Sequence, residues 1–397
     1  MSFNESWNFL LKRAYEVSKK NSFVDFKTCL KNLDNPQKKF KSIHIAGTNG
    51  KGSCGAILSE IFMASGYKVG VYSSPHILCP TERIRINGKA ISKQKFEKYL
   101  GLISATEKRN NNSLSYFEIL TAMAFQIFAD EQVDIAIIET GIGGKKDITN
   151  IIKPAFCLIT SIGLDHNKTL GNTIEKVAMQ KAGIIKKGVP VAFGKIESKP
   201  LKIIKKVAVD KGAKIFSYEN ILASKNLKLN TINPAQKINA NICYKVAKFF
   251  DIGDKIILSS IKKTKIPARM QVVKQDNATF IIDGAHNIEA IKNCLTSLPK
   301  KENMVLVVSL MADKNCQKIV QQISKHGGDI IFTEVKNSRT ETAKNLAKFI
   351  DIKSPKKIIA CKNVATAMAC AEPYKYRVFL GSFYLASKVL DELKYKI

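Results

Sequence analysis

The chain has 397 residues, 45% of them hydrophobic, enough to bury a large core and to suggest two domains or three. Its formal net charge is +31, yet only seven of the 64 basic residues are Arg and the lysines are spread without a dense basic tail. That pattern argues against a nucleic-acid binder and fits a lysine-rich composition or an anionic small substrate.

No apolar run approaches the roughly 18–20 residues that span a bilayer. The start, "MSFNESWNFLLKRAYEVSKK", is amphipathic and lacks the apolar block of a secretory leader, so a cytoplasmic protein with no membrane partner is expected. The nine cysteines are scattered and form no C-x-x-C pair, which argues against a disulfide framework and a structural zinc site.

Apolar runs alternate with helix-period segments, predicting an α/β fold with a mostly parallel sheet. After an N-terminal helical region comes the strand "SIHIAG" (42–47), then a helix over "GSCGAILSEIFMASG" with Gly66 as its C-cap. "KVGVYSS" reads as a strand, "SYFEILTAMAFQIFAD" as a helix, and "VDIAIIETG" and "AFCLITSIG" as strands. "NTIEKVAMQKAGI" is a helix capped by Asn172 or Thr173 and ended by Gly183, and residues 230–252 are helical. The Pro-punctuated linker "IKKTKIPARM" leads to a fresh strand, "ATFIID", placing a domain boundary near residue 267. The expected domains are 1–266, a P-loop ATPase domain, and 267–397, a smaller Rossmann-like α/β domain of repeating strands and helices.

Strand, glycine turn with lysine, then helix is a recipe for holding phosphate, since backbone N–H groups and the positive helix end point at the anion. In "GTNGKGS" the usual spacing is shortened: Thr48 and Asn49 alone separate Gly47 from Gly50, and Gly52 stands between Lys51 and Ser53. Lys51 adds a mobile charge, and the Ser53 hydroxyl could face Mg²⁺. Glu139 closes an apolar strand at the end where α/β sheets bind ligands, which makes it a candidate metal ligand. His166, beside Asp165, follows the next strand, so the two would stand at neighbouring strand ends. The turn-rich loop "YSSPHILCPTERIRING" (72–88) follows a strand in the same way. In the second half, Asp283, His286 and Asn287 end the first strand of the small domain, and Arg269 in the linker could reach across a domain cleft.

Together "HIAGTNGKGS", "VGVYSSPHI", "TERIRING", "ETGIGGKKDITN", "SIGLDH", "QKAGI" and "IIDGAHN" resemble the folylpolyglutamate synthase and dihydrofolate synthase family, ATP-dependent amide ligases related to the muramyl-peptide ligases. The match runs in order from about residue 22 to residue 290. The resemblance implies that ATP phosphorylates a carboxylate of a pterin-containing substrate and that the amine of L-glutamate attacks the acyl phosphate. It implies ATP bound by Asn49, Gly50, Lys51, Gly52, Ser53, Asn239, Arg269, Asp283 and His286. Two Mg²⁺ sites would involve Ser53, Ser74, Glu139, His166 and Lys181, the last carboxylated by CO₂, with K⁺ as a further cation. Lys51, Glu139, His166 and Lys181 would carry catalysis, and Pro75, His76, Ser115, Phe117 and Asp147 would lie at the pterin substrate.

Three positions depart from the family's pattern: Lys145-Lys146 stand for its usual Arg-Leu, Gln180 for a common Glu, and "QKIN" around Asn239 matches loosely. The preferred expectation is a monomeric enzyme that ligates glutamate both to dihydropteroate and to folyl(poly)glutamates. A monofunctional folylpolyglutamate synthase is the alternative. More distant rivals are a muramyl-peptide ligase, disfavoured because only 46 residues precede the phosphate loop, and a basic nucleic-acid-binding protein.

Overall fold

Runs rich in Val and Ile become the strands of two mostly parallel sheets, one in each of two units. The computed structural model describes residues 2–16, 23–109, 113–224, 233–298, 302–350 and 357–395. One unit comprises Met1–Lys228 with Ile238–Thr264, the other Leu229–Lys237 with Lys265–Ile397. Residues 233–237, read from the sequence as part of the first domain, group with the second unit.

The first unit holds β1 (Lys41–Ala46), β2 (Val69–Tyr72), β3 (Ile84–Ile86), β4 (Lys89–Ala90), β5 (Ile135–Glu139), β6 (Phe156–Ile159), β7 (Val191–Phe193) and β8 (Ile215–Phe216). They form one sheet in the order β4-β3-β2-β5-β1-β6-β7-β8. The pairings from β2 to β8 are parallel, while β3 and β4 add an antiparallel edge. β5 and β6 are buried at every position and β1 at all but Lys41, as expected for parallel strands covered on both faces.

Two apolar clusters cover the faces. One gathers the helices Phe23–Asn32, Lys93–Arg109 and Tyr116–Asp130 through Phe26, Phe96, Phe125 and Phe128. The other packs the helices Ile174–Ala182 and Ser198–Asp210 through Ala178, Ile204 and Ala208.

The second unit holds β9 (Gln271–Gln275), β10 (Ala278–Ile282), β11 (Met304–Val308), β12 (Asp329–Thr333), β13 (Ile358–Cys361) and β14 (Tyr376–Leu380), in the order β13-β12-β11-β14-β10-β9. All pairings are parallel except the β9–β10 hairpin. "ATFIID" is thus the second strand of this unit, not the first. β9 escapes the sequence pattern because "QVVKQ" is an exposed edge strand with no buried residue. The linker reading of "IKKTKIPARM" also needs correction, since its first residues end the helix Asp254–Lys263.

At Gly70 on β2 an added Cβ would stand 2.7–3.0 Å from the ring of buried Phe128. Gly70→Ala should therefore destabilise the fold by about 1–3 kcal/mol, the usual range for overpacking, seen as a lower urea midpoint by circular dichroism.

Candidate active site

The carboxyl ends of β1, β5 and β6 build the site. The chain leaves β1 into the glycine turn and enters the helix Lys51–Ala64 at Gly50, whose φ of 90° suits glycine. A Cβ there would lie 2.6 Å from Asn239 Oδ1, so buried Asn239, on the helix Pro234–Phe249, is pressed against the turn.

The other wall is the segment after β6. Thr160 and Ser161 hydroxyls donate to the Asn49 carbonyl at 2.6 and 3.0 Å, and the Asn49 N–H donates to Ser161 Oγ at 2.9 Å. Thr48 Oγ1 donates to the Gly163 carbonyl and accepts from the Gly163 N–H, both at 2.9 Å. "AFCLITSIG" is therefore strand only over Phe156–Ile159, and its hydroxyl tail is a clamp on the loop. Sequence reading missed Thr160 and Ser161; the available signal was a pair of hydroxyls closing an apolar strand.

Lys51 Nζ lies 3.1 Å from the Gly47 carbonyl and 3.7 Å from Glu139 Oε1, with both side chains mostly buried. Glu139 Oε2 accepts from the Ser74 N–H at 3.4 Å, and Ser53, 1% exposed, is on the first turn of the helix. The donors gathered here are hard oxygens. Gly52 stands beside this carboxylate, where a Cβ would sit 3.6 Å from Glu139 Oε2. The buried hydroxyl oxygen of Thr140 has no hydrogen-bond partner. Among the described residues no three His, Cys, Asp or Glu side chains cluster as a metal cage. This set fits Mg²⁺, which binds through one or two protein oxygens and otherwise keeps water and phosphate.

His166 is exposed in a left-handed turn at φ 52°, its N–H donating to Asp165 Oδ1 at 2.8 Å. β5 and β6 flank β1 rather than each other, so Glu139 and His166 do not stand at neighbouring strand ends as the sequence reading had it. Lys181, on the last turn of the helix Ile174–Ala182, is 3% exposed. Burial chiefly, then the charge of Lys51, push its pKa down to about 7 against the pull of Asp165 and Asp147. Lys145 and Lys146 are exposed, while the Lys145 N–H donates to the Gln180 carbonyl at 2.7 Å and ties the loop after β5 to the end of this helix.

After β2, Glu82 accepts from the N–H groups of Ile77, Leu78 and Cys79 and so folds the loop bearing Pro75 and His76. Arg83 Nε donates to His76 Nδ1 at 3.0 Å, and burial first, then Arg83, push that imidazole's pKa down to about 3. Trp7 and Tyr116 pack nearby, the Trp7 ring 5.3 Å from His76 and 5.8 Å from Tyr116. Ser115 caps the helix Tyr116–Asp130 in a reciprocal box with Glu118, so its hydroxyl already accepts a backbone bond. Phe117 lies against Gly141 and Tyr72, beside the loop that carries buried Asp147.

In the second unit Asp283, after β10, accepts from the N–H groups of Met270 and Ala285, both at 2.7 Å. Burial raises its pKa against the counter-pull of Arg269. The Arg269 guanidinium stacks 4.6 Å over the Phe383 ring, and the His286 ring lies 5.7 Å from the same ring. Arg269 and His286 thus both pack on Phe383, which the sequence reading did not single out.

This strand–loop–helix site on a two-unit α/β scaffold defines a ligase of the Mur type. Residues 45–252 match the Mur ligase middle domain and residues 268–382 the Mur ligase glutamate ligase domain. A Bacillus subtilis dihydrofolate synthase/folylpolyglutamate synthase is 32% identical over 355 residues, covering 81% of this chain and 82% of its own. The structure of E. coli FolC in complex with DHPP and ADP is similar at a TM-score of 0.88 and 28% identity, covering 99% of this chain and 98% of that one. A bifunctional folylpolyglutamate synthase/dihydrofolate synthase with Mn, AMPPNP and L-glutamate bound is similar at a TM-score of 0.85 and 27% identity, covering 99% of each chain. The chain belongs to the folylpolyglutamate synthase/dihydrofolate synthase family and is an ATP-dependent amide-forming ligase.

A lysine whose folded pKa is lowered opposes folding below that value, and the penalty is relieved as pH rises through it toward the ordinary lysine value. Wild-type stability should therefore rise between about pH 7 and about pH 10, and Lys181→Met should flatten that rise, as read from urea midpoints at about pH 6 and about pH 9.5.

Proposed function

We propose that this protein ligates L-glutamate both to dihydropteroate and to folylglutamates. The observation that carries the ligase chemistry is the buried Lys51–Glu139 pair, 3.7 Å apart at the mouth of the clamped loop. Two activities in one chain are supported by the B. subtilis relative, whose name carries both.

ATP would lie on the loop, with the N–H groups from Asn49 to Ser53 and the helix N-terminus facing its phosphates and Asn239 beside Gly50. In the second unit Arg269, Asp283 and His286 are the proposed ATP contacts. Lys51 orients the γ-phosphoryl group and balances charge while the substrate carboxylate displaces ADP. The glutamate amine then attacks the acyl phosphate, loses a proton, and expels phosphate as the amide forms. Divalent ions, when bound, screen the phosphate oxygens and stabilise the developing charge. Ser53, Ser74 and Glu139 would hold one ion, His166 and Lys181 a second, with K⁺ as an additional cation. A buried Lys181 amine with its pKa pushed down to about 7 suits carbamate formation, in which its nitrogen bonds the carbon of CO₂ and a proton is released.

Pro75, His76, Ser115, Phe117 and Asp147 are the proposed pterin-side residues. Residues 1–266 would form the ATPase domain and 267–397 the ligase domain. Small anionic substrates rather than nucleic acid would meet the lysine-rich surface, and we place the enzyme in the cytoplasm as a monomer. Among the described residues no helix is long and apolar enough to cross a membrane.

Purified protein with ATP, Mg²⁺ and glutamate should release ADP when given either dihydropteroate or a reduced folate. Release with the reduced folate alone would leave a monofunctional folylpolyglutamate synthase and contradict the proposal.

A further inference from the structure

β1 carries a histidine in its buried middle. His44 is 0% exposed and sits in register with Ile138 on β5 and Cys157 on β6. Its Nε2 lies 2.9 Å from Thr149 Oγ1, which donates to Asp147 Oδ1 at 2.6 Å. The Asp147 carboxylate also accepts from the N–H groups of Thr149 at 3.0 Å and Ile142 at 2.9 Å.

A hydroxyl has one proton, and Thr149 gives it to the carboxylate, so its oxygen accepts from His44 and the ring proton is on Nε2. Nδ1 is then a buried acceptor, and it has no partner. Burial, with the Lys186 charge second, pushes the imidazole pKa down to about 3, so the ring stays neutral and the chain of donors runs one way. An apolar residue at position 44 would avoid the unsatisfied nitrogen. Capping the turn Ile148–Ile151 requires only the Thr149 N–H to Asp147, not the histidine.

We infer that the hydrogen-bond chain His44–Thr149–Asp147 fixes the Asp147 carboxylate in the orientation that receives the pterin-bearing substrate, making His44 and Thr149 positioning residues. The inference rests on the proposed placement of Asp147 at that substrate. Two of the bonds to the Asp147 carboxylate come from backbone of its own segment after β5, at Ile142 and Thr149. His44, on the central strand β1, is the chain's anchor in the sheet. Losing this anchor should weaken capture of the pterin substrate and leave ATP binding little changed, because the phosphate loop is held by its own bonds between Asn49 and Thr160 and Ser161.

The test compares KM and kcat for the pterin substrate and for ATP in His44→Leu, His44→Gln, Thr149→Val, Thr149→Ser and Asp147→Asn. His44→Leu and Thr149→Val should raise the pterin KM by about tenfold while the ATP KM stays within about twofold. Thr149→Ser keeps the hydroxyl, and His44→Gln can place an amide N–H where Nε2 was, so both should return the pterin KM to within about threefold of wild type. If Asp147→Asn raises the pterin KM but His44→Leu and Thr149→Val do not, the positioning role is wrong and the site reading stands. If Asp147→Asn also leaves it unchanged, the placement of Asp147 at the substrate falls, and the positioning role with it. Equal rises in both KM values, not rescued by Thr149→Ser, would show a merely structural chain and overturn the inference. Should His44→Leu fail to fold, the Thr149→Val and Thr149→Ser pair decides alone.

Discussion

Lys51 and Glu139 meet because two adjacent parallel strands end at one level. In the β1–β5 register Ile45 is opposite Glu139, so the chain that turns into the glycine loop does so beside the carboxylate. The lysine then comes from the first turn of the following helix and bridges the Gly47 carbonyl and Glu139. A mostly buried ion pair adds little net stability, because desolvation offsets its Coulomb attraction. Its value is in what each partner can exchange for the other: the ammonium for phosphate, the carboxylate for a hard cation. Thr160 and Ser161, more than a hundred residues along the chain, hold the loop in place so that the exchange occurs without refolding it.

The same strand-end logic recurs in the second unit. Asp283 leaves β10 with its carboxylate capped by two backbone N–H groups, and Phe383, after β14, lies under both Arg269 and His286. β10 and β14 are neighbours in the sheet although nearly a hundred residues separate them, so this cluster depends on the crossover that brings β14 between β11 and β10. Parallel sheets place such side chains together at their carboxyl edge, and loops there can change without disturbing the core.

Much of this was legible in the sequence because the central strands are largely apolar runs closed by glycine or a polar residue, as in "VDIAIIETG" and "AFCLITSIG". The short phosphate loop was readable for the same reason: strand, turn and helix are contiguous. Lys181 was not readable from its own residues. It is one lysine among many, and only tertiary packing removes it from water. β9 was missed because an exposed edge strand has no buried stripe to give it a period. The clamp of Thr160 and Ser161 on Asn49, and of His44 on Thr149, pairs residues far apart in the chain, so neither leaves a local pattern. What His44 did leave was a polar residue inside an apolar strand.

Titration calorimetry of a non-hydrolysable ATP analogue into wild type and Glu139→Gln, with and without Mg²⁺, tests most directly whether the Lys51–Glu139 pair is a nucleotide–metal site. Mg²⁺ should tighten binding to wild type, and Glu139→Gln should lose about tenfold or more of that gain while its metal-free affinity is not weakened. An undiminished Mg²⁺ effect in Glu139→Gln would contradict the assignment.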